Sequence, residues 1–253
     1  MFVKDMKSCQ RYCRETWGKT MDIKAIIFDK DGTIADFGVT FNRATKLVLD
    51  EICNGDPELM QRSAEALHYD LSNNLIGKQS VIIAGTGVDI AEALSTVFPI
   101  EDIEAFGAVL DEMYGEICLN MVEALPGAAK ALEQLHDDGI LLGVGTNDSE
   151  ENAINQMEAL ELDHLFEHIF GADSGYGAKP GSGMIDAFKE RLGLRPEQVL
   201  MVGDSIHDME AGRAAGVKTC AVETGPATRD ELLPHADMVL SSITELPNAL
   251  SVK

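Results

Sequence analysis

No stretch of about 18 uncharged apolar residues occurs in this 253-residue chain, which excludes a transmembrane helix. Its first 20 residues, MFVKDMKSCQRYCRETWGKT, lack the apolar core of a secretory signal. Cysteine is scarce and unpatterned: Cys9, Cys13, Cys53, Cys118 and Cys220 are odd in number and contain no C-x-x-C pair. That argues against a disulfide framework and a four-ligand zinc site, and for a reducing cytosol. Basic residues are few, 20 Lys and Arg against 43 Asp and Glu, for a net charge of −23 and a pI near 4.4. Nucleic acid and anionic membrane, whose binding needs basic patches, are therefore not expected partners. Residues 1–24 run the other way, with six Lys or Arg against three Asp or Glu. The expectation is an unstructured extension over residues 1–21, or an upstream start with Met21 the natural one. Internal repeats and low-complexity tracts are absent too.

What is present is an ordinary globular mix, 45% apolar and 25% charged. Short apolar runs each end in a polar residue: Lys24–Phe28 before Asp29, Ile140–Gly145 before Thr146, and Val199–Gly203 before Asp204. Such runs suit strands buried on both faces of a parallel sheet. His168–Ala172, Thr219–Val222 and Met238–Leu240 read as three more. Helices alternate with them: Gly127–Asp138 behind Pro126, one running to Leu160 and opened by an Asp148/Glu151 capping pair, Ser182–Leu192, and Asp208–Ala215. This alternation predicts an α/β fold, a doubly wound, Rossmann-like parallel sheet. Residues 38–120 break the rhythm and read as helices only (Asn42–Ile52, Pro57–Ser72, Val88–Leu94, Ile100–Met121). The expected organisation is a catalytic core from residues 22–37 and 121–253, with an all-helical insertion over 38–120 above the strand ends.

Ligands of an open α/β sheet bind outside the carboxyl ends of its strands. Asp29, Thr146 and Asp204 fall at such ends, and Lys179 lies in the loop after the fourth run. In Asp29-Lys30-Asp31-Gly32-Thr33 the two-residue spacing puts both carboxylates on one side of a chain leaving a strand, and Gly32 permits a tight turn. An EF-hand is excluded because its glycine belongs at loop position 6, not 4. Asp204 and Asp208 form a second pair. Four carboxylates in one crevice, with Lys179 the only expected cation, repel strongly: two charges 4 Å apart cost roughly 4 kcal/mol at an effective dielectric of 20. Such a site needs a divalent ion, a retained proton, or both. All-oxygen ligands fit Mg2+ best, and Thr146, Lys179 and Mg2+ would then balance a dianion such as a phosphate. One carboxylate can act as nucleophile and a second, held neutral, as acid and then base.

In this order Asp29-Lys-Asp31-Gly-Thr33, Thr146-Asn147, Lys179-Pro180 and Gly203-Asp204-x-x-x-Asp208 closely resemble the haloacid dehalogenase-like hydrolase superfamily. The likeness covers about 22–37 and 121–250, with the insertion where that family carries a helical cap. The resemblance implies Asp29 as nucleophile, Asp31 as acid/base, Thr146 and Asn147 on the phosphoryl oxygens, and Lys179 steadying nucleophile and phosphate. It implies Mg2+ on the Asp29 carboxylate, the Asp31 backbone carbonyl and Asp204, with Asp208 behind a water. A carboxylate at Asp31 favours a phosphatase or phosphomutase over a dehalogenase. Within the superfamily the cap and the Pro126-Gly127 helix look most like phosphoglycolate phosphatases.

The expected function is thus a cytoplasmic, Mg2+-dependent phosphatase, monomer or homodimer, acting on a small phosphorylated metabolite resembling 2-phosphoglycolate. The enzymatic alternative is a sugar phosphomutase of the β-phosphoglucomutase kind. A phospho-accepting receiver domain is disfavoured by its half length and by the placing of its acidic residues. Ile76–Ser80 through Gly85-Thr86-Gly87 is the candidate specificity segment, with Lys78 read as a solvated lysine and the glycine pair as a turn. Lys30 stands where the family often has an apolar residue, which alters contacts with the cap.

Overall fold

The computed structural model describes residues 22–250, so the extension expected over 1–21 lies outside the described residues. The chain enters through β1 (Ala25–Phe28) and then forms α1 (Phe37–Cys53), α2 (Pro57–Ala66), β2 (Tyr69–Asp70), β3 (Leu75–Ile76), α3 (Gly87–Leu94) and α4 (Ile103–Leu119). It returns through α5 (Ala128–Asp137), β4 (Leu141–Gly145), α6 (Glu150–Ala159), β5 (Phe166–Phe170) and α7 (Gly183–Leu192). It closes with β6 (Val199–Gly203), α8 (Ile206–Ala214), β7 (Lys218–Val222), α9 (Arg229–Leu232), β8 (Met238–Leu240) and α10 (Leu246–Leu250).

The six long strands form one parallel sheet in the order β5-β4-β1-β6-β7-β8. β1 lies at its centre, with Phe28 level with Val144 on one side and Val202 on the other. Alternate side chains of β1 go to opposite faces. Ile26 and Phe28 pack with Leu132, Leu135 and Leu142, whereas Ala25 and Ile27 pack with Met184 and Phe188. All four are fully buried, and each of the three large ones contributes roughly 1.5–3 kcal/mol by leaving water. The continuous apolar run is therefore explained by helices on both faces, as the doubly wound reading requires.

Between β1 and α5 the chain builds a second body. Ala44, Val48, Leu49, Leu94, Leu110 and Tyr114 form its own apolar centre, shared by α1, α3 and α4. The exit and return paths pair side by side: the Asp36 N–H donates to the Glu123 carbonyl at 2.9 Å and the Leu125 N–H to Ile34 at 2.8 Å. One feature differs from the expected all-helical pattern. The helix predicted over Pro57–Ser72 stops at Ala66, His68 takes a φ of 51°, and Tyr69 pairs antiparallel with Ile76. Tyr69 drives this change, because its ring is buried and its hydroxyl donates to the Asn42 carbonyl at 2.9 Å.

A second difference concerns α6, which is capped by Ser149, not Asp148: the Ser149 hydroxyl accepts from the Asn152 N–H. Asp148 is held by a lysine instead. Cys53, Cys118 and Cys220 are buried, with no disulfide among the described residues. No described helix is long and apolar enough to cross a membrane.

Candidate active site

Asp29 is the first residue past β1, and its N–H is fixed by the Val202 carbonyl of β6 at 2.8 Å. The chain then turns sharply, because the Lys30 carbonyl accepts from Thr33, Ile34 and Ala35 at 3.4, 2.9 and 2.9 Å. Gly32 makes the turn possible with a φ of 78°, and a Cβ there would stand 2.5 Å from Asp204 Oδ2. Glycine at that position therefore lets the ends of β1 and β6 bring their carboxylates together.

Asp29, Asp31, Thr146, Asn147, Lys179 and Asp204 all line one cavity over the carboxyl edge of the sheet. Asp208 lies beneath it, fully buried. Lys179 Nζ donates to Asp29 Oδ1 and to Asp208 Oδ1, both at 2.6 Å. The Thr146 N–H is held by the Phe170 carbonyl, leaving a buried hydroxyl on the cavity wall. The Asn147 side chain works locally: it accepts from the Lys179 N–H at 2.8 Å and donates to the Lys179 and Ala84 carbonyls at 2.9 and 2.7 Å. It thus ties the Lys179 loop to the inserted body.

Oxygen ligands of Asp29, Asp204 and Asp208 lie within 4.8 Å of one another. At that separation each ionised pair costs about 3–4 kcal/mol at an effective dielectric of 20. Burial raises the Asp29 carboxyl to about 6; Lys179 opposes this, while Asp208 and Asp31 add to it. Burial likewise raises Asp204 well above the ordinary range, reinforced by Asp29 and Asp208. Lys179 is held charged: burial works against it, but Asp208 and Asp29 outweigh the penalty. A buried, all-oxygen, net-negative ring of this kind fits a hard divalent cation.

Lys179 is not the only cation here, contrary to the sequence expectation. Lys30 is fully buried, with its Nζ 2.6 Å from Asp31 Oδ2, 3.1 Å from Asp148 Oδ2 and 2.7 Å from Gln156 Oε1. All three ammonium protons are thereby satisfied, and Nζ also lies 5.8 Å from the centre of the Phe41 ring. Asp31 Oδ1, by contrast, is buried with no partner. Lys30 therefore holds one oxygen of Asp31 and leaves the other free on a residue that lines the cavity. Burial raises the Asp31 carboxyl and Lys30 opposes that rise.

The roof of the cavity comes from the insertion: Phe37, Phe41, Ile82–Gly87, Ile90, Asp111 and Tyr114. Phe37 stacks on Phe41 at 5.1 Å and Phe41 on Tyr114 at 5.9 Å. Sequence reasoning reached only the 82–87 part of this roof, the end of the candidate specificity segment. Phe37 and Phe41 carry a usable signal, an aromatic pair four residues apart at the start of a helix. Asp111 carries none, being one acid among several on α4. The solvated reading of Lys78 agrees with its exposure; it lies outside this lining, 4.0 Å from Glu231.

The family model described as haloacid dehalogenase-like hydrolase matches residues 26–222. A phosphoglycolate phosphatase of Aliivibrio fischeri is 30% identical over 210 residues, covering 81% of this chain and 86% of the relative. Among solved structures, a candidate haloacid dehalogenase-like hydrolase from Bacteroides fragilis superposes with a TM-score of 0.69 at 22% identity, covering 88% of this chain and 99% of the other. A candidate β-phosphoglucomutase from Thermotoga maritima superposes with a TM-score of 0.63 at 20% identity, covering 90% and 98%.

Proposed function

Because the chain belongs to the haloacid dehalogenase-like hydrolase family, we propose that its cavity hydrolyses a small phosphate monoester with Mg2+, by way of an aspartyl phosphate on Asp29. The observation that carries this reading is the pairing of a Lys179-bound Asp29 with an Asp31 whose second oxygen is free, both on one cavity wall. The Asp29 carboxylate attacks phosphorus while the bond from phosphorus to the alcohol oxygen breaks. Asp31, entering with a proton, delivers it to the departing oxygen. The resulting Asp31 carboxylate then takes a proton from water, whose oxygen attacks phosphorus and releases inorganic phosphate and free Asp29.

Thr146 and Lys179 hold the phosphoryl oxygens, Asn147 keeps the Lys179 loop in place, and any phosphate contact of Asn147 falls to its backbone N–H. The Asp29 and Asp204 carboxylates and the Asp31 carbonyl would hold Mg2+, with Asp208 one layer out; when bound, the ion supplies positive charge to the phosphate and the acidic ring. In this reading the enzyme works in the cytoplasm.

The test is phosphate release from a panel of small esters with Mg2+ and with EDTA, and acid trapping of the phosphorylated protein. 2-Phosphoglycolate heads the panel, as the substrate in the curated relative's name. Release that needs Mg2+ and vanishes in Asp29→Asn is the expected result. Full activity in Asp29→Asn would remove the nucleophile assignment. Phosphoryl transfer between sugar phosphates with no release would replace hydrolysis by a mutase reaction.

A further inference from the structure

The floor of the cavity deals with phosphate, so the choice of alcohol falls to the roof. Among the described residues, no lysine or arginine of the insertion lines the cavity. The roof's obvious anion-binding groups are also already in use. The Gly85 N–H donates to the Val81 carbonyl at 2.7 Å. The Thr86 N–H donates to Asp89 Oδ2 at 2.7 Å, as part of the capping box that opens α3. The Gly87 N–H hydrogen bonds the Asp111 carboxylate. The N-terminus of α3, which would otherwise attract an anion, is thus neutralised by two acids of the insertion itself.

Gly87 lets this happen. A Cβ there would lie 2.2 Å from Asp111 Oδ1, so only glycine allows Asp111 to come so close. The carboxylate still has lone pairs to offer after accepting one N–H. Two other roof hydroxyls are committed inside the protein: Tyr114 to Thr45 Oγ1 at 3.2 Å and Thr86 to Asp89 Oδ2 at 2.7 Å. Against these polar groups stands the stacked wall of Phe37, Phe41 and Tyr114. The cavity, floor and roof together, is small, about 60 Å3, so a compact ester is the fitting probe.

We infer that Asp111 sets the substrate class: the enzyme takes phosphate esters of small alcohols that offer Asp111 a hydrogen-bond donor, a hydroxyl or an ammonium group, and rejects alcohols that carry a carboxylate. A carboxylate beside Asp111 meets a like charge and no cation of the roof. An ammonium group or a hydroxyl can each donate to the Asp111 carboxylate, the charged donor making the stronger bond. This inference rests on the phosphatase reading, and it runs against the 2-phosphoglycolate expectation, which came from the resemblance.

Its test compares kcat/KM for three esters of similar size: glycerol 2-phosphate, 2-phosphoglycolate and O-phosphoethanolamine. p-Nitrophenyl phosphate serves as a general measure of phosphatase activity. The neutral and the ammonium ester are each expected to lead 2-phosphoglycolate by at least tenfold. Asp111→Asn keeps an acceptor for the Gly87 N–H but removes the charge, and it should bring 2-phosphoglycolate to within threefold of glycerol 2-phosphate by raising its kcat/KM. A wild-type preference for 2-phosphoglycolate overturns the inference while leaving the phosphatase standing. So does an unchanged ratio in Asp111→Asn. His207, a floor residue on the cavity wall whose Nδ1 is buried and unpartnered, is the rival carboxylate partner. Brisk 2-phosphoglycolate turnover lost in His207→Gln would assign that role to it and overturn the inference. If p-nitrophenyl phosphate and all three esters are inert, the phosphatase reading falls, and this one with it.

Discussion

The floor and the roof of the cavity are built from different kinds of sequence and carry opposite charge logic. Most floor residues sit at a strand end or in the loop that follows, where the backbone register of the sheet fixes them: Asp29 after β1, Thr146 after β4, Asp204 after β6, with His207 and Asp208 in the first turn of α8. Two buried lysines, Lys179 and Lys30, answer the floor's acids. The roof comes from helix faces and a turn, and its one charged group facing the cavity is Asp111; among the described residues, no lysine or arginine of the insertion lines the cavity with it. The same protein thus concentrates cations where phosphate belongs and withholds them where the alcohol belongs. Strand ends suit the invariant part of a reaction, and an inserted body suits the variable part.

The largest effect should come from removing the cation that faces the chemistry. Lys179→Met leaves Asp29 and Asp208 without their shared 2.6 Å partner and strips positive charge from the phosphate. Phosphate release should fall about 10²–10³-fold, the range seen when one charge-stabilising donor is lost. Lys179→Arg should not restore it, since a planar fork does not replace a compact ammonium between two carboxylates. Steady-state kinetics on the best ester of the panel decide this. Near-normal turnover in Lys179→Met would mean that floor and roof do not divide the work as described.

Lys30 tests the other half of the floor, and its signature is stability more than rate. Its removal leaves the largely buried Asp31 and Asp148 carboxyls without their shared partner, and breaking a pair of this kind costs about 3–5 kcal/mol. Lys30→Met should lose most of that range in urea unfolding. Adding Asp148→Asn should recover part of the stability but not the lost activity, because Asp31 would still lack the hold on its Oδ2. Equal recovery of both would reduce Lys30 to a packing residue.

How much could be read beforehand follows the same division. The strands were legible because each is a short apolar run with both faces covered, and the catalytic candidates because they stand at fixed offsets from those runs. Helix ends were less so. Asp148 looks like the cap of α6, but a serine one residue later takes that place because a buried lysine claims the aspartate. Lys30 was noticed only as an unusual residue between two acids; its partners Asp148 and Gln156 lie more than a hundred residues away. The roof was least legible. Asp111 reaches the cavity because α4 packs against α3, with Gly107 close against Val88 and Gly87 against Asp111. No periodicity within either helix announces that meeting.

Gly87→Ala offers a steric route to the same comparison. The added methyl would collide with the Asp111 carboxylate and drive it from its seat without changing any charge. The ratio of neutral to carboxylate ester turnover should shift by roughly threefold to tenfold, about 0.7–1.4 kcal/mol in differential binding. Turnover of p-nitrophenyl phosphate should change less than that ratio does. A uniform loss across all esters would point to a general distortion of α3, not to displacement of Asp111.

The smallest effect concerns stability alone and separates Asp111 from the acids of the floor. Burial first, then Asp148 and Asp173, push its carboxyl up from 3.8 to about 6, with the Gly87 N–H opposing. A raised value in the folded state means the fold keeps a proton that the unfolded chain has already released. The ionised side chain therefore weakens the fold progressively between pH 3.8 and about 6, and the penalty is constant above that. Asp111→Asn removes the penalty. Because the group is only half-buried, solvent screening reduces the expected gain to about 1 kcal/mol at pH 7, fading to nothing below about pH 4. Urea unfolding of the two proteins at pH 4 and pH 7 measures the difference directly. A gain at both values would trace to packing, and a loss at pH 7 would mean that a cation answers Asp111 after all. The expected pattern, a more stable protein with poorer discrimination between esters, is what a carboxylate kept for selectivity at the expense of the fold should leave behind.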